Sequence, residues 1–141
     1  MKRKASARWQ GSLRDGRGTM TTDSGVLSAT QYSFGTRFED GKGTNPEELI
    51  GAAHAGCFSM ALSKILGDGG HTPERIDTAA TVSLEQVDGG FAITRVHLEV
   101  EAEVPGASAE QFAEAAEKAK AGCPVSKLLD AEITLQARLA G

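Results

Sequence analysis

The sequence predicts an α+β fold in which antiparallel sheets surround one long buried central helix, and three observations carry that expectation. A segment opening at Asn45-Pro46 stays apolar on nearly every side from Leu49 to Leu66. Two alternating runs flank Asp88-Gly89-Gly90, and a second, capped helix is followed by a further alternating run near the end of the chain. Strands and helices of this kind, without a regular βαβ rhythm, belong to the α+β class.

Up to about Phe38, short runs carrying Trp9, Leu13, Val26, Leu27, Tyr32 and Phe34 are broken by Gly11, Gly16, Gly18, Gly25 and Gly35. This pattern reads as a meander of short strands. A polar stretch, Glu39 to Thr44, separates it from the central helix. There Asn45 is suited to cap, Pro46 to occupy the first helical position, and Glu48 to answer the exposed amides three residues after the cap. Leu49, Ile50, Ala52, Ala53, Cys57, Phe58, Met60, Leu62, Ile65 and Leu66 leave hardly any polar face before the stop at Gly67–Gly70, so a buried position is expected.

Beyond a turn at His71-Thr72-Pro73, Thr81–Val87 and Phe91–Val100 alternate apolar and polar residues around the Asp-Gly tip, the signal of an antiparallel hairpin with one wet face. Ser108-Ala109-Glu110-Gln111 has capping-box spacing and opens a helix through about Lys120, which Gly122 stops. Cys123-Pro124 begins a short helix through Leu129, with Cys123 at or beside its N-cap, and Glu132–Leu139 alternates as a closing strand.

A chain of 141 residues with 40% hydrophobic and 24% charged residues fits a single globular domain, residues 1–141. No stretch approaches the roughly 20 apolar residues expected of a bilayer span, so no membrane is expected as a partner. The start, Met1-Lys2-Arg3-Lys4, is basic without the apolar block of a secretory signal, and a cytoplasmic protein follows. A net charge of −4 with scattered basic residues argues against nucleic acid as a partner.

Only two cysteines are present, too few for a disulfide scaffold, so in a reducing compartment they are either inert or reactive. Cys57 alone reads as a small buried hydrophobe. Cys123 immediately before Pro124 sits where unpaired helix amides favour a thiolate, which makes the two a plausible redox couple, although spacing does not show that they meet. A reacting thiolate needs a cation, and Arg37, just ahead of the central helix, is the best placed; Arg14 and Arg17 compete with it, and a solvated arginine is the plain alternative. Glu47, in the first helical turn, is suited to orient such an arginine or simply to answer the helix dipole. His54, three residues before Cys57, reads as a histidine packed near the helix surface rather than a metal ligand or base, since a metal would need two further ligands and a hydrolase a third group. The glycine-rich turns match no phosphate-binding loop.

The words Thr36-Arg37-Phe38, Gly43–Leu62 around Asn45-Pro46-Glu47-Glu48 and Ala53-His54-Ala55-Gly56-Cys57, and Ala121-Gly122-Cys123-Pro124-Val125-Ser126 resemble the osmotically inducible protein C family, within the wider group that includes the organic hydroperoxide resistance proteins. The likeness runs over nearly the whole chain. It implies an intertwined homodimer with active sites at the subunit interface, and cysteine-based reduction of hydroperoxides, organic ones in preference to hydrogen peroxide. It further implies Cys57 as the peroxidatic and Cys123 as the resolving cysteine, joined in a disulfide during turnover, with Arg37 as activating arginine and Glu47 as its acidic partner. The Arg37-Phe38 word fits the osmotically inducible branch, whereas the other branch draws its arginine from the N-terminal glycine-rich segment, where Arg17 lies. A dithiol reductant, including lipoyl groups on carrier proteins, is implied too, with no metal and no organic cofactor. Two other readings use the same residues: a redox-sensing or ligand-binding module without turnover, and a metalloprotein recruiting His54.

Overall fold

The computed structural model describes residues 1–141, which divide into two units, Met1–Leu49 and Ile50–Gly141. In the first unit, β1 (Ala5–Gln10), β2 (Arg17–Thr22) and β3 (Thr30–Tyr32) form an antiparallel sheet in that order. Trp9 pairs with Gly18, which pairs in turn with Tyr32. The two rings meet across Gly18, centroids 5.5 Å apart, and a Cβ there would lie 2.5 Å from the Tyr32 ring and 2.7 Å from that of Trp9. Only glycine fits so close an approach.

The meander does not extend to Phe38. Phe34–Phe38 is a short helix, α1, because Ser33 and Thr36 make a reciprocal capping box: Thr36 N–H donates to Ser33 Oγ and Ser33 N–H donates to Thr36 Oγ1. A single turn shows no helical period, and the cap is its one local signature.

The long helix α2 (Pro46–Asp68) begins as expected, with Glu48 N–H donating to Asn45 Oδ1 at 2.7 Å. It is buried along one stripe only: Glu47, Gly51, His54, Phe58, Leu62 and Leu66 are covered, while Ala52, Ala53, Gly56 and Met60 are exposed. Spacings of three and four residues place the covered set on one face. The sequence expectation of all-round burial fails within a single chain because α2's second face, though apolar, has no partner in it. By length and composition α2 also meets the requirement for crossing a membrane, contrary to the sequence expectation. Its mean hydropathy reaches 1.4 over the best window, of which 28% is buried.

In the second unit, β4 (Arg75–Val87) and β5 (Gly90–Glu103) form the antiparallel hairpin, with Asp88-Gly89 as the two-residue tip and Gly89 at φ +84°. α3 (Ala109–Gly122), capped by Ser108, and α4 (Pro124–Leu128) follow, and β6 (Glu132–Leu139) completes the sheet in the order β4-β5-β6. β6 runs parallel to β5, a departure from the antiparallel expectation. The two intervening helices supply the crossover that parallel pairing requires. Val96, Leu98, Val100 and Ala102, alternate residues of β5, pack with Phe58, Leu62 and Leu66 of α2 and Phe112, Ala115, Ala116 and Ala119 of α3. Burying each of the larger side chains contributes about 1.5–3 kcal/mol.

Candidate functional site

Two constellations collect the candidate residues, one in each unit. In the first unit, the α1 cap places Arg37 in the last helical turn, and Asn45, while capping α2, donates from Nδ2 to Thr36 O at 3.1 Å. Glu47 in the first turn of α2 then meets Arg37. Nη2 donates to Oε1 at 2.7 Å, and Nε donates to Oε1 at 3.1 Å and Oε2 at 3.3 Å. The carboxylate side chain is only 11% exposed and the guanidinium 37%. A fork held on one edge by a carboxylate is fixed in orientation and keeps donors free on the other. Arg37 also lies 5.3 Å from the Phe38 ring centroid, beside a cavity of about 240 Å³ lined by Trp9, Leu13, Tyr32, Phe34 and Phe38. Of the competing arginines, Arg14 stacks over Phe34 at 5.1 Å and Arg17 is exposed at the start of β2.

In the second unit, the structure brings the two cysteines together, which spacing could not show. Both are free thiols, Cys57 half-buried on α2 and Cys123 fully buried at the junction of α3 and α4, and they lie close enough for each to shift the other's ionisation. Burial pushes the Cys57 thiol above its ordinary range, and neighbouring Cys123 adds to this against a smaller pull from the Val125 amide. Burial also opposes ionisation of Cys123. There, however, Cys57, the amide and hydroxyl of Ser126 and the Val125 amide win, and its thiol lies below the ordinary range. Cys123 makes no side-chain capping bond of the Ser33 kind; the polar groups of Val125 and Ser126 act on its sulfur from within the first turn of α4. The groups around the pair thus favour the anion more on Cys123 than on Cys57, and no cation is among those that act on Cys57.

His54 is not near the helix surface. It is completely buried, and its Nε2 lies 2.7 Å from Ser126 Oγ, while Nδ1 is buried without a partner. Burial holds the imidazole below its ordinary pKa, so it is neutral. Sequence reasoning missed this partnership because it spans α2 and α4, and Ser126 carried no signal beyond its place in the Cys123 word. No three His, Cys, Asp or Glu side chains converge as metal ligands would.

An OsmC-like protein family model matches residues 39–138. The chain is 59% identical over 137 residues to Peroxiredoxin OsmC of Escherichia coli strain K12, covering 97% of this chain and 96% of that one. It is 32% identical over 101 residues to the organic hydroperoxide resistance protein of Xanthomonas axonopodis pv. citri, covering 71% and 69%. Among solved structures, that of the organic hydroperoxide resistance protein OhrB of Bacillus subtilis superposes with a TM-score of 0.69 at 25% identity, covering 97% of this chain and 98% of that one. An OsmC-like protein of Vibrio cholerae gives 0.76 at 18% identity, covering 97% and 99%, and so speaks to the fold alone.

Proposed function

This chain belongs to the OsmC-like protein family, on its OsmC branch, and from that premise we propose that it is a thiol-dependent peroxidase reducing organic hydroperoxides to alcohols through Cys57 and Cys123. The observation that carries the mechanism is the juxtaposition of the two free thiols, each near enough to shift the other's ionisation, since neighbouring sulfurs can close a disulfide with little movement. The Cys57 thiolate attacks the O–O bond; the alkoxide leaves with one thiol proton as the alcohol, and Cys57 becomes a sulfenic acid. Cys123, as thiolate, attacks that sulfur, and hydroxide departs with the second thiol proton as water. An external dithiol, such as a lipoylated protein, then reopens the disulfide and is itself oxidised. Neither metal nor organic cofactor enters these steps.

Cys57 attacks as a thiolate only when a cation offsets its burial, and we assign that cation to Arg37, oriented by Glu47. Along the unbroken α2 the ten residues from Glu47 to Cys57 rise about 15 Å. That length supports an arginine delivered by a second copy of the chain, in an obligate homodimer. The exposed apolar face of α2 at Ala52, Ala53, Gly56 and Met60 supports the same assembly, with a partner helix rather than a bilayer as its cover. The family match runs across the boundary between the two units, which supports residues 1–141 as one domain. A cytoplasmic location follows from the reductant.

A steady-state comparison of hydrogen peroxide with an alkyl hydroperoxide, using dihydrolipoamide and then thioredoxin, tests the proposal. Faster turnover of the alkyl substrate with dihydrolipoamide is expected; no peroxide consumption with any dithiol would reduce the protein to a redox-sensing or binding module.

A further inference from the structure

The family comparison does not account for the buried pair behind the cysteines. His54 is wholly inaccessible, carries an unpartnered Nδ1, and spends its one hydrogen bond on Ser126, whose hydroxyl in turn acts on the Cys123 sulfur. Burying an imidazole with half its polar atoms unsatisfied is costly, and such a cost calls for an explanation.

The direction of the chain of bonds follows from its ends. A buried N–H without an acceptor is rarer than a lone pair without a donor, so the hydrogen belongs on Nε2 and the bare lone pair on Nδ1. Nε2–H therefore donates to Ser126 Oγ, which leaves the Ser126 hydroxyl hydrogen free to turn toward the Cys123 sulfur, three residues back at the start of α4. A hydroxyl that is already a hydrogen-bond acceptor becomes a stronger donor.

We propose that the buried His54–Ser126 bond makes these two positioning residues for Cys123, turning the Ser126 hydroxyl hydrogen onto its sulfur and holding that sulfur toward the oxidised Cys57. The inference rests on the peroxidase reading for its consequence in turnover. The step it serves is the second one: the Cys123 sulfur forms the S–S bond as the S–O bond of the Cys57 sulfenic acid breaks, and the departing hydroxide takes a proton to leave as water. The titratable groups acting on Cys123 are Cys57 directly and His54 through Ser126, both from α2. The α3 residues that share its core, Phe112, Ala115, Ala116 and Ala119, are uncharged.

Two readouts test this, one independent of peroxide chemistry. In a Cys57→Ser background, the ultraviolet absorbance of the thiolate titrates Cys123 alone. Adding Ser126→Ala should raise its midpoint by about one pH unit, a tenfold loss of ionisation, while Ser126→Thr restores it. In the two-cysteine protein given one equivalent of alkyl hydroperoxide, dimedone trapping should find the Cys57 sulfenic acid about tenfold longer-lived in Ser126→Ala than in wild type. His54→Gln, whose amide N–H can take the place of Nε2–H, should behave like wild type and His54→Ala like Ser126→Ala. If His54→Ala does not fold, the serine series decides alone. An unmoved midpoint in Ser126→Ala, or a wild-type sulfenic acid lifetime, overturns the proposal. Absence of any sulfenic acid or disulfide in wild type would instead overturn the peroxidase reading, and the titration arm would still decide what His54 and Ser126 do to Cys123.

Discussion

The two constellations solve the problem of holding a reactive group in opposite ways. Around Arg37 the device is ionic: a guanidinium gripped on one edge by Glu47, with its other donors free and 37% of the side chain in solvent. Around Cys123 the device is buried: an uncharged imidazole bonded to a hydroxyl three residues from the sulfur. A charge pair partly in water is weakened by solvent screening, whereas a neutral relay gains strength from water's exclusion. In the proposed mechanism the two devices compete for one shared proton, Arg37 drawing charge onto Cys57 and Ser126 drawing it onto Cys123. The sequence of steps then follows from which device prevails before and after Cys57 is oxidised.

Breaking the sulfur side gives the largest expected effect. Cys57→Ser should abolish single-turnover reduction of an alkyl hydroperoxide, since a serine hydroxyl is hardly ionised at neutral pH. Cys123→Ser should consume about one equivalent of peroxide, stall as a sulfenic acid and drift to sulfinic or sulfonic acid with excess oxidant. Intact mass should show wild type losing two protons on oxidation, with no covalent dimer on a non-reducing gel. Wild-type turnover in both variants would make the cysteines structural.

Breaking the ionic side should cost less. Arg37→Ala is expected to slow the first step about a hundredfold and to move its pH profile upward, because the Cys57 thiol loses the cation that offsets its burial. Arg37→Lys should restore little of the rate, since a point charge cannot grip Glu47 and face a sulfur together. A larger loss in Arg17→Ala, read by stopped-flow at several pH values, would transfer the role to β2.

Placing a charge on the uncovered face of α2 sharpens the comparison by asking whether the two devices meet between chains. Met60, 78% exposed in the single chain, should tolerate Met60→Lys in a monomer but not in the proposed dimer. Light scattering should find wild type dimeric and the variant dissociated, with the first step slowed. A stable, fully active wild-type monomer would return the arginine to its own chain.

The smallest effect concerns acid. His54 is held neutral by burial, below its usual 6.5. As pH falls through that value the unfolded chain takes up a proton there and the folded chain does not, so stability is full above about pH 6.5 and declines below it. Thermal melts between about pH 7 and 5 should show a shallower decline in His54→Gln. An equal slope in both proteins would mean that His54 is not held neutral on folding.

Residues that act through their neighbours in sequence were the legible ones. Asn45, Ser108 and the Asp88-Gly89 tip each announce an element by spacing alone, and the structure has all three. The Ser33–Thr36 box was equally local but encloses a single turn, too short for a period to confirm it. Alternation in Glu132–Leu139 marks a strand but not its direction, so the parallel pairing of β6 was invisible. α2 was misjudged because a helix apolar on two faces reads the same whether one chain covers both or two chains share them. The contact of Cys57 with Cys123, and of His54 with Ser126, depends on how α4 docks against α2, which no local pattern encodes.

The parallel placement of β6 bears on how the molecule is made. The β4–β5 hairpin closes locally, but β5–β6 pairing must wait until α3 and α4 have been synthesised and folded back, a long-range closure that forms late. Cys123 lies within that returning segment. On the ribosome, therefore, the Cys57 thiol emerges before its sulfur partner exists, and the core that covers it is incomplete until α3 and Cys123 have joined it. Under the proposed mechanism, a nascent chain caught by a hydroperoxide in that interval has no second thiol to rescue Cys57 from over-oxidation.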